Sequence, residues 1–325
     1  MKALIPLAGL GSRMRPLTHT TAKPLITIAG KTVLAHILDQ LVEAKIDEAI
    51  FIIGHLGDQI KEYVEEHYEL ESTFIWQRKL SGQAPAIKLA ETEIDEDVLI
   101  WFSDTLVELD IPRMCRTEHD GVIFVKEVDD PRRFGVVETD NEGKVTRTVE
   151  KPDHPRSNLV NIGLYYVKNY GLLIEAIDEL IRRDQKTKGE YYLMDAFNIM
   201  LEKGASFEAK KVDVWLDTGK LETTLETNRY LVSRNPTADP KGEQTKFTQP
   251  VVMGEGVRAA NADIGPHVSV GNGSTIENST VKESIIGEQA VIRDAILERC
   301  IIGSHATVRG KHKDRIVGDH ETLNS

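Results

Sequence analysis

Short apolar runs alternate with helical patterns along the first two thirds of the chain. The runs cover residues 2–7, 48–54, 72–77 and 98–103. Runs of this length are typical of strands that are buried on both faces of a parallel sheet. Between and after them, apolar residues recur at three- and four-residue intervals, which predicts helices over 33–42, 57–68, 172–183 and 194–203 and from about 83. The alternation predicts an α/β domain with a doubly wound sheet, in which ligands bind at the carboxyl ends of the strands.

The pattern changes in the middle of the chain, where two short strands enclose a turn. A strand is predicted over 122–128. The run FGVVE at 134–138 is then followed by DNEG at 140–143 and by the alternating VTRTV at 145–149. Polar residues and a glycine between two such runs are typical of a β-hairpin. We therefore expect the sheet to become mixed in this half of a domain that spans residues 1–232.

A six-residue periodicity begins after a polar, proline-rich stretch at 233–250, which is predicted to be a linker. Ile264, Val270 and Ile276 form one such series. A hexad of this kind is typical of a parallel β-helix, and we expect a short left-handed one over 251–310. An antiparallel β-sandwich is the alternative, and the repeat IGxxA/S makes it less favoured. The polar tail at 311–325 is expected to pack loosely or to be disordered.

Composition restricts the class of partner. The chain has 325 residues, enough for a large α/β core and a second module, and a net charge of −12. Because sequence-independent binding to nucleic acid needs a basic face, we expect no nucleic-acid partner. Two distant cysteines, Cys115 and Cys300, predict reduced thiols in a cytoplasmic protein. We recognise neither a targeting segment nor an apolar run of about 18 residues, so we expect no membrane partner.

The loop after the first predicted strand combines glycines with cationic side chains. Gly9 and Gly11 permit positive φ angles and a close approach of backbone N–H groups to a ligand. Arg13 and Arg15 add planar donors that match phosphate oxygens in pairs, and Lys23 adds a compact positive charge. Backbone donors and cations in one loop predict a site for a polyanion, and we interpret it as a nucleoside triphosphate site.

The string GLGSRMRPLTHTTAKP at 9–24 resembles the signature GxGxRxxPLTxxxPKP of the sugar-1-phosphate nucleotidyltransferases. These enzymes join a nucleoside triphosphate to a sugar 1-phosphate, and the resemblance implies a Rossmann-like nucleotidyltransferase fold. The chain departs from the signature at Leu10 and Ala22, where many members have glycine and proline. The resemblance also implies nucleotide contacts along this loop from Ala8, Gly9, Gly11, Ser12 and Arg13.

Further motifs of the same family follow in order along the chain. The segment QRKLSGQAPA resembles the family's base-reading loop, which assigns Gln77 and Gly82 to a pyrimidine base; a plain strand-to-helix loop is the alternative. The strings FGVVE, EKP and NIGLY resemble its sugar-phosphate site. That match implies sugar or phosphate contacts from Gly135, Glu150, Lys151 and Asn161, with Glu190 as a possible further contact.

Two aspartates complete the resemblance. An aspartate that follows a buried parallel strand projects into the ligand crevice, so Asp104 in WFSDT is a candidate metal ligand; a turn cap is the alternative. The family usually has a glycine where this chain has Ser103. The string WLDTG resembles the second metal motif and assigns the same role to Asp217, after Trp215 and Leu216, which are expected in the core. The implied cofactor is Mg²⁺.

The implied reaction is in-line attack of a sugar 1-phosphate oxygen on the α-phosphorus, with pyrophosphate as the leaving group. The nucleophile is already an anion, so catalysis reduces to positioning and charge neutralisation. The predicted catalytic residues are Arg13 for the leaving pyrophosphate, Lys23 for the α-phosphate, Lys151 for the incoming phosphate, and Asp104 and Asp217 for the metal.

Several alternatives stay open. The layout is most similar to the long form of glucose-1-phosphate thymidylyltransferase, and a uridylyltransferase is the nearest alternative. A mannose-1-phosphate guanylyltransferase and a non-catalytic regulatory homologue are two more. Hexapeptide β-helices also occur in acyltransferases, in which His267 or His305 would act as a general base. A homo-oligomer formed through the β-helix or the catalytic domain is the expected assembly.

Overall fold

The computed structural model describes residues 1–46 and 48–324, which divide into two compact units. The first unit comprises Met1–Gly9 and Ile37–Trp215, and the second comprises Leu10–His36 and the chain from Leu216 onward. The helices are α1 (Val33–Glu43), α2 (Gly57–His67), α3 (Gln83–Lys88), α4 (Ile111–Met114), α5 (Tyr170–Arg182), α6 (Leu193–Glu202) and α7 (Leu221–Arg234).

The strands before the last helix are β1 (Lys2–Pro6), β2 (Thr27–Ile28), β3 (Lys31–Thr32), β4 (Glu48–Ile53), β5 (Glu71–Trp76), β6 (Val98–Trp101), β7 (Thr105–Glu108), β8 (Gly121–Glu127), β9 (Gly135–Thr139), β10 (Val145–Glu150), β11 (Leu159–Val167), β12 (Phe207–Lys211) and β13 (Val214–Asp217). Those after it are β14 (Lys246–Phe247), β15 (Val251–Met253), β16 (Arg258–Ala260), β17 (Asp263–Ile264), β18 (Val268–Val270), β19 (Thr275–Glu277), β20 (Thr280–Lys282), β21 (Ile285–Ile286), β22 (Val291–Glu298), β23 (Ile301–Ile302), β24 (Thr307–Lys313), β25 (Ile316–Val317) and β26 (Thr322–Leu323).

A mixed sheet forms the centre of the first unit. Its order is β10-β9-β11-β6-β1-β4-β5, and β8 pairs with β11 and with β12. Strands β6, β1, β4 and β5 are mutually parallel, as the apolar runs predict. Strand β11 runs antiparallel to β6, β8 and β9, and β9 and β10 form the predicted hairpin. The prediction of a doubly wound sheet that becomes mixed is confirmed.

The helices of this unit form where the apolar periodicity places them. Thr32 accepts a hydrogen bond on Oγ1 from the backbone N–H of Ala35 at 3.0 Å and so caps the start of α1. Helices α3, α5 and α6 bury their apolar faces in one core cluster with β1, β6 and β8. Fully buried aromatic side chains such as Trp101, Phe124 and Phe197 fill this unit. The core holds the sheet rigid, so residues at its carboxyl edge have fixed positions.

The second unit contains a parallel β-helix, as the hexad predicts. Ile264, Val270 and Ile276 lie on three successive faces of one coil, in strands β17, β18 and β19. Each stacks on an apolar residue of the next coil, since Ile264 pairs with Val281, Val270 with Ile286, and Ile276 with Ile292. The residues of these columns are almost completely buried. The six-residue period therefore reflects three inward positions in every turn of the β-helix.

The predicted end of this module is wrong. Residues 311–325 were expected to pack loosely, but β24 continues to Lys313, and β25 and β26 add a further coil on top of β23 and β24. Val317 is 2% exposed. The beginning is also earlier than predicted, because β14 pairs with β17 inside the stretch interpreted as a linker. Polar side chains point outward along most of the final coil, so its composition resembles that of a loose tail.

A buried asparagine holds the second unit together. Asn228 on α7 is 1% exposed, and its Oδ1 accepts hydrogen bonds from the backbone N–H of Ala29 at 3.1 Å and from Ser269 Oγ at 2.8 Å. Its Nδ2 donates to the carbonyl oxygen of His267 at 3.3 Å. One side chain thus ties the segment before α1, helix α7 and the first β-helix coils to one another.

Within the described residues, no helix has both the length and the apolar character that crossing a membrane requires.

We predict that Asn228→Ala lowers the free energy of unfolding of the second unit. The change leaves buried polar partners unsatisfied, which costs about 1–3 kcal/mol for each such group. Urea titration followed by circular dichroism measures the effect. Ser233→Ala on the exposed side of α7, where Oγ donates only to the Arg229 carbonyl oxygen, is the control. Equal midpoints for the two variants would contradict the role given to Asn228.

Candidate active site

The glycine-rich loop folds as a series of short 3-10 turns at Ser12–Met14, Leu17–His19 and Lys23–Leu25. Gly11 has a φ of 59°, and a Cβ there would lie 2.9 Å from Thr18 Cγ2. The Thr18 hydroxyl donates to the carbonyl oxygen of Gly11 at 2.9 Å. Gly11 is therefore required by the packing of the loop itself.

Gly9 differs from Gly11. No described atom lies within 4 Å of the position that a Cβ on Gly9 would take, and its φ lies outside the left-handed region. Ala8, beside it, is 4% exposed and packs against Gly54 in the first unit. Packing of the described residues therefore does not require a glycine at position 9.

The second unit brings three predicted charged residues into the neighbourhood of two glycines. A Cβ on Gly219 would lie 2.8 Å from Asp217 Oδ1 and 3.3 Å from Arg13 Nη2. A Cβ on Gly11 would lie 3.1 Å from Lys23 Cβ. The backbone N–H of Gly219 donates to Asp217 Oδ1 at 2.7 Å, which fixes the carboxylate. Ser12 and Arg13 are exposed, and Lys23 and Asp217 are half-buried.

The residues before Asp217 are less buried than predicted. Trp215 and Leu216 were expected in the core, but both are half-buried. Trp215 packs edge-on against Phe134, with ring centroids 5.4 Å apart. Strand β13 is short and does not lie in the central sheet, so its apolar residues are not covered on both faces.

Asp104 lies in the turn between β6 and β7, a few residues beyond the last residue of β6 rather than at its end. Backbone hydrogen bonds hold this turn against β11, since the N–H of Phe102 donates to the carbonyl oxygen of Gly163 at 2.8 Å. The indole N–H of Trp101 donates to the carbonyl oxygen of Thr105 at 2.8 Å across the turn. The position of Asp104 is thus set by rigid elements on both sides.

Gly135, Glu150 and Asn161 form one cluster on neighbouring strands β9, β10 and β11. Asn161 Nδ2 donates to the carbonyl oxygen of Gly135 at 3.1 Å. A Cβ on Gly135 would lie 2.1 Å from Asn161 Nδ2 and 2.8 Å from Glu150 Oε2. The cluster therefore tolerates no side chain at position 135. Tyr165 donates to Asn161 Oδ1 at 2.5 Å and fixes the orientation of the amide.

Lys151 joins the same cluster. Its Nζ lies 3.1 Å from Glu150 Oε1, donates to Tyr192 Oη at 2.9 Å, and sits 4.6 Å from the centroid of the Tyr192 ring. Burial acts to lower the pKa of Lys151, but the hydrogen bond to Tyr192 and the charge of Glu150 outweigh it and raise the pKa. Lys151 is therefore a fixed positive charge at neutral pH, suited to a phosphate.

Carboxylates crowd this cluster. The Glu150 side chain is 8% exposed, and burial raises its pKa despite the charge of Lys151, with a further rise from the charge of Asp195. Burial raises the pKa of Tyr165 well above its usual range, and the charges of Glu150 and Asp104 add to this effect. Asp104 thus lies within electrostatic reach of this cluster, which is rich in hydrogen-bond acceptors.

Gln77 and Gly82 have interactions with their own chain. Gln77 follows β5, and its Nε2 donates to the carbonyl oxygen of Lys79 at 3.2 Å. A Cβ on Gly82, where φ is 121°, would lie 2.5 Å from the carbonyl oxygen of Tyr191. Gly82 is therefore required by its bridge to Tyr191, which brings the predicted base loop next to the segment that carries Tyr192.

Three residues in or beside the cluster around Lys151 were not predicted as site residues, namely Tyr165, Tyr192 and Asp195. Tyr165 ends the string NIGLY, and Tyr192 and Asp195 lie in the string EYYLMD at 190–195, from which Glu190 was the one predicted contact. Glu190 is exposed, and its backbone pairs with that of Thr187 in a turn. Asp195 is 7% exposed and accepts a hydrogen bond from Thr187 Oγ1 at 3.0 Å.

The two histidines considered as general bases occupy corners of the β-helix. His267 and His305 have φ angles of 59°. His305 is exposed and stacks on His320 with ring centroids 4.8 Å apart, in the next coil. Stacked corner residues of this kind are explained by coil geometry.

The side chains present determine whether this site could bind a magnesium ion. The described residues contain no group of three or more His, Cys, Asp or Glu side chains that could hold a metal. Mg²⁺ does not need such a group, because it is usually bound by one or two carboxylates together with water and substrate phosphates. Asp217, with one oxygen oriented by the N–H of Gly219, is a donor of that kind. The residues fit Mg²⁺ bound together with a nucleotide.

We predict that Asp195→Asn stabilises the protein at neutral pH. Burial raises the pKa of Asp195, with Thr187 acting in the opposite direction, so the folded state disfavours its charge. The stability that protonated Asp195 contributes is complete below the unfolded pKa of about 3.9 and is lost as pH rises. The variant should therefore unfold at a higher urea concentration than wild type at pH 7, and the difference should vanish near pH 4.

The control for this measurement is Asp153→Asn, which changes an exposed carboxylate. It should leave the urea midpoint unchanged at both pH values. An Asp195→Asn variant that is less stable than wild type at pH 7 would contradict the assignment.

Comparisons with known proteins identify the family of the chain. A profile described as nucleotidyl transferase matches residues 2–234. A glucose-1-phosphate thymidylyltransferase of Streptomyces antibioticus is 31% identical over 99% of this chain and 99% of its own. A UTP–glucose-1-phosphate uridylyltransferase of Haloferax volcanii is 30% identical over 71% of this chain and 96% of its own.

A solved structure shows the same fold. It belongs to a Bacillus anthracis protein that is provisionally assigned as a glucose-1-phosphate thymidylyltransferase, crystallised with sucrose. Its TM-score is 0.62 at 24% identity, and the match covers 74% of this chain and 98% of that protein. Because the profile covers most of the chain and a relative matches it almost from end to end, the chain belongs to the nucleotidyl transferase family.

Proposed function

We propose that the protein transfers a thymidylyl or uridylyl group from a nucleoside triphosphate to glucose 1-phosphate and releases pyrophosphate. The observation that carries the proposal is the cluster of Gly135, Glu150, Lys151 and Asn161, in which a fixed cation lies among acceptors for hydroxyl groups. A cation binds the phosphate of a sugar 1-phosphate, and the acceptors bind its hydroxyls.

The relatives support both substrates. The protein that matches over 99% of both chains is named for thymidylyl transfer to glucose 1-phosphate, and the haloarchaeal relative is named for uridylyl transfer to the same sugar phosphate. A carboxamide such as Gln77 offers one donor and one acceptor to the imide edge that thymine and uracil share. The thymidylyl relative covers more of the chain, so dTTP is the first nucleotide to test.

The chain's own charges would perform most of the catalysis. Lys151, held by Tyr192 and Glu150, would bind the sugar phosphate and bring its oxygen into line with the α-phosphorus. Lys23 would stabilise the charge that develops at the α-phosphate, and Arg13 would bind the leaving pyrophosphate. The attacking oxygen is an anion at neutral pH, so the step needs no protein base.

Asp104 and Asp217 would hold Mg²⁺. When bound, the ion supplies positive charge that reduces the repulsion between the phosphates of the two substrates.

The test of the proposed function is pyrophosphate release from a matrix of nucleoside triphosphates and sugar 1-phosphates, with Mg²⁺ and with a chelator. We expect turnover with dTTP or UTP and glucose 1-phosphate, and none with the chelator. Turnover with GTP and mannose 1-phosphate alone would replace the substrate assignment. Consumption of acetyl-CoA without pyrophosphate release would point to an acyltransferase, and no turnover in any combination would contradict the proposal.

We predict that Lys23→Ala and Asp217→Asn each lower kcat about 10²–10³-fold, the loss seen when one preorganised electrostatic contact to a transition state is removed. Steady-state kinetics with the best substrate pair measures the change. Each variant has a matched control nearby, Lys31→Ala and Asp213→Asn, which alter exposed side chains. A kcat within threefold of wild type for either site variant would contradict its assigned role.

A further inference from the structure

The last coil of the β-helix reaches the phosphate loop through one carboxylate. Asp319 Oδ2 accepts hydrogen bonds from Thr20 Oγ1, at 2.7 Å, and from Thr21 Oγ1. The other oxygen of Asp319 accepts from the backbone N–H of Ser304 at 2.7 Å, which anchors the carboxylate to the preceding coil. All four residues belong to the second unit. Asp319 thus joins the loop to the β-helix by two hydrogen bonds to the loop, and a third hydrogen bond holds its carboxylate within the β-helix.

The two threonines lie between the parts of the loop that are assigned to the nucleotide. Thr18, two residues before Thr20, holds Gly11 through its hydroxyl and its methyl group. Lys23 follows two residues after Thr21 and packs its Cβ against Gly11. The backbone N–H of Thr21 donates to the carbonyl oxygen of Leu17 at 3.2 Å. A displacement of Thr20 and Thr21 therefore moves both the glycine turn and the lysine.

Apolar contacts accompany the hydrogen bonds. Leu17, Leu25 and Ile26 of the loop and Ile285, Ile301 and Ile302 of the β-helix line a small cavity of about 40 Å³. A Cβ on Gly318 would lie 3.4 Å from Pro16 Cβ. The segment from Leu10 to Leu25 contains 3-10 turns of three residues each, which do not fix their own position. The β-helix supplies the surface against which these turns are held.

We propose that Asp319 is a positioning residue for the triphosphate loop, so that the terminal β-helix coil sets the affinity of the enzyme for its nucleotide. The proposal rests on the proposed function, because it concerns the same loop. Asp319 contacts Thr20 and Thr21 and acts through them. On this proposal, the β-helix contributes to nucleotide binding through its final coil, a segment that the sequence predicted to be a loose tail.

Kinetics of Asp319→Ala tests the proposal, with Asp314→Ala as the matched control. Asp314 is an exposed carboxylate at the same end of the β-helix, and it accepts a hydrogen bond from Arg299 Nε at 2.7 Å. Loss of a charge-assisted hydrogen bond corresponds to about a tenfold change in an equilibrium constant. We expect Asp319→Ala to raise the KM for the nucleoside triphosphate about tenfold and the KM for the sugar phosphate less than twofold. Asp314→Ala should change neither.

A different result is expected if Asp319 only stabilises the fold and does not position the loop. Asp319→Ala would then lower the melting temperature and leave both KM values within twofold of wild type, or raise both equally, and either result would overturn the proposal. If Asp319→Ala does not fold, the isosteric pair Thr20→Val and Thr21→Val removes the same donors. That double variant should show the nucleotide-specific rise in KM, and the corresponding serine variant should restore the wild-type value.

Hydrogen–deuterium exchange separates this proposal from the proposed function, because it needs no turnover. Peptides that cover residues 10–25 should exchange faster in Asp319→Ala than in wild type or Asp314→Ala, since the hydrogen bond from the N–H of Met14 to the carbonyl oxygen of Gly11 loses its support. Equal exchange in the three proteins would overturn the proposal that Asp319 positions the loop, whatever substrate the enzyme uses. Faster exchange in a protein that shows no pyrophosphate release would contradict the proposed function alone.

Discussion

The loop that is proposed to bind a polyanion carries Arg13 and Lys23 on short 3-10 turns, which do not fix their own position. It is held in place by packing on another element of its own unit. The segment from Leu10 to His36 belongs to the compact unit that contains the β-helix, and Asp319 and Asn228 tie it there near its middle and towards its end. Preorganised charge costs no rearrangement at the moment of reaction, so the proposed phosphate chemistry would depend on this fixation.

The cluster of Gly135, Glu150, Lys151 and Asn161 in the first unit, for which sugar-phosphate binding is proposed, is held in place in another way. Its residues lie on adjacent strands of a rigid sheet, and their geometry follows from strand register. The burial of Glu150 and Asp195 disfavours their charged forms, so this part of the structure is less stable at neutral pH than a neutral core would be. Lys151 offsets part of that cost and keeps its own charge. The free energy of unfolding is therefore lower here than in an apolar core, because buried carboxylates are concentrated in one place.

Local patterns in the sequence account for much of the architecture. The apolar runs predicted β1, β4, β5 and β6, the hairpin was evident from its turn residues, and the hexad predicted a parallel β-helix. Strand β11 was not recognised as a strand, because Gly163 and the irregular register between Asn161 and Tyr165 interrupt its alternation. The final coil was missed because its outward residues are polar and its inward positions are few.

Residues of the candidate site could be predicted where they belong to a local sequence motif. Residues that reach the site only through a tertiary contact could not be predicted. The motifs led to Lys151 and Asn161. Tyr165 lies on the same strand as Asn161, inside the string NIGLY, but its contact with the amide was not predicted. Tyr192 acts on Lys151 from a part of the chain 41 positions away, which no local motif indicates. The same holds for Asp319, about 300 positions away from the threonines that it contacts.

The proposed reaction is direct transfer from the nucleotide to the sugar phosphate without a covalent enzyme intermediate. The most direct test is the stereochemical course at phosphorus, measured by ³¹P NMR with a single diastereomer of an α-thio nucleoside triphosphate and glucose 1-phosphate. One in-line displacement predicts a nucleotide-sugar with inverted configuration at the α-phosphorus. Retention of configuration, which requires two displacements, would contradict the account.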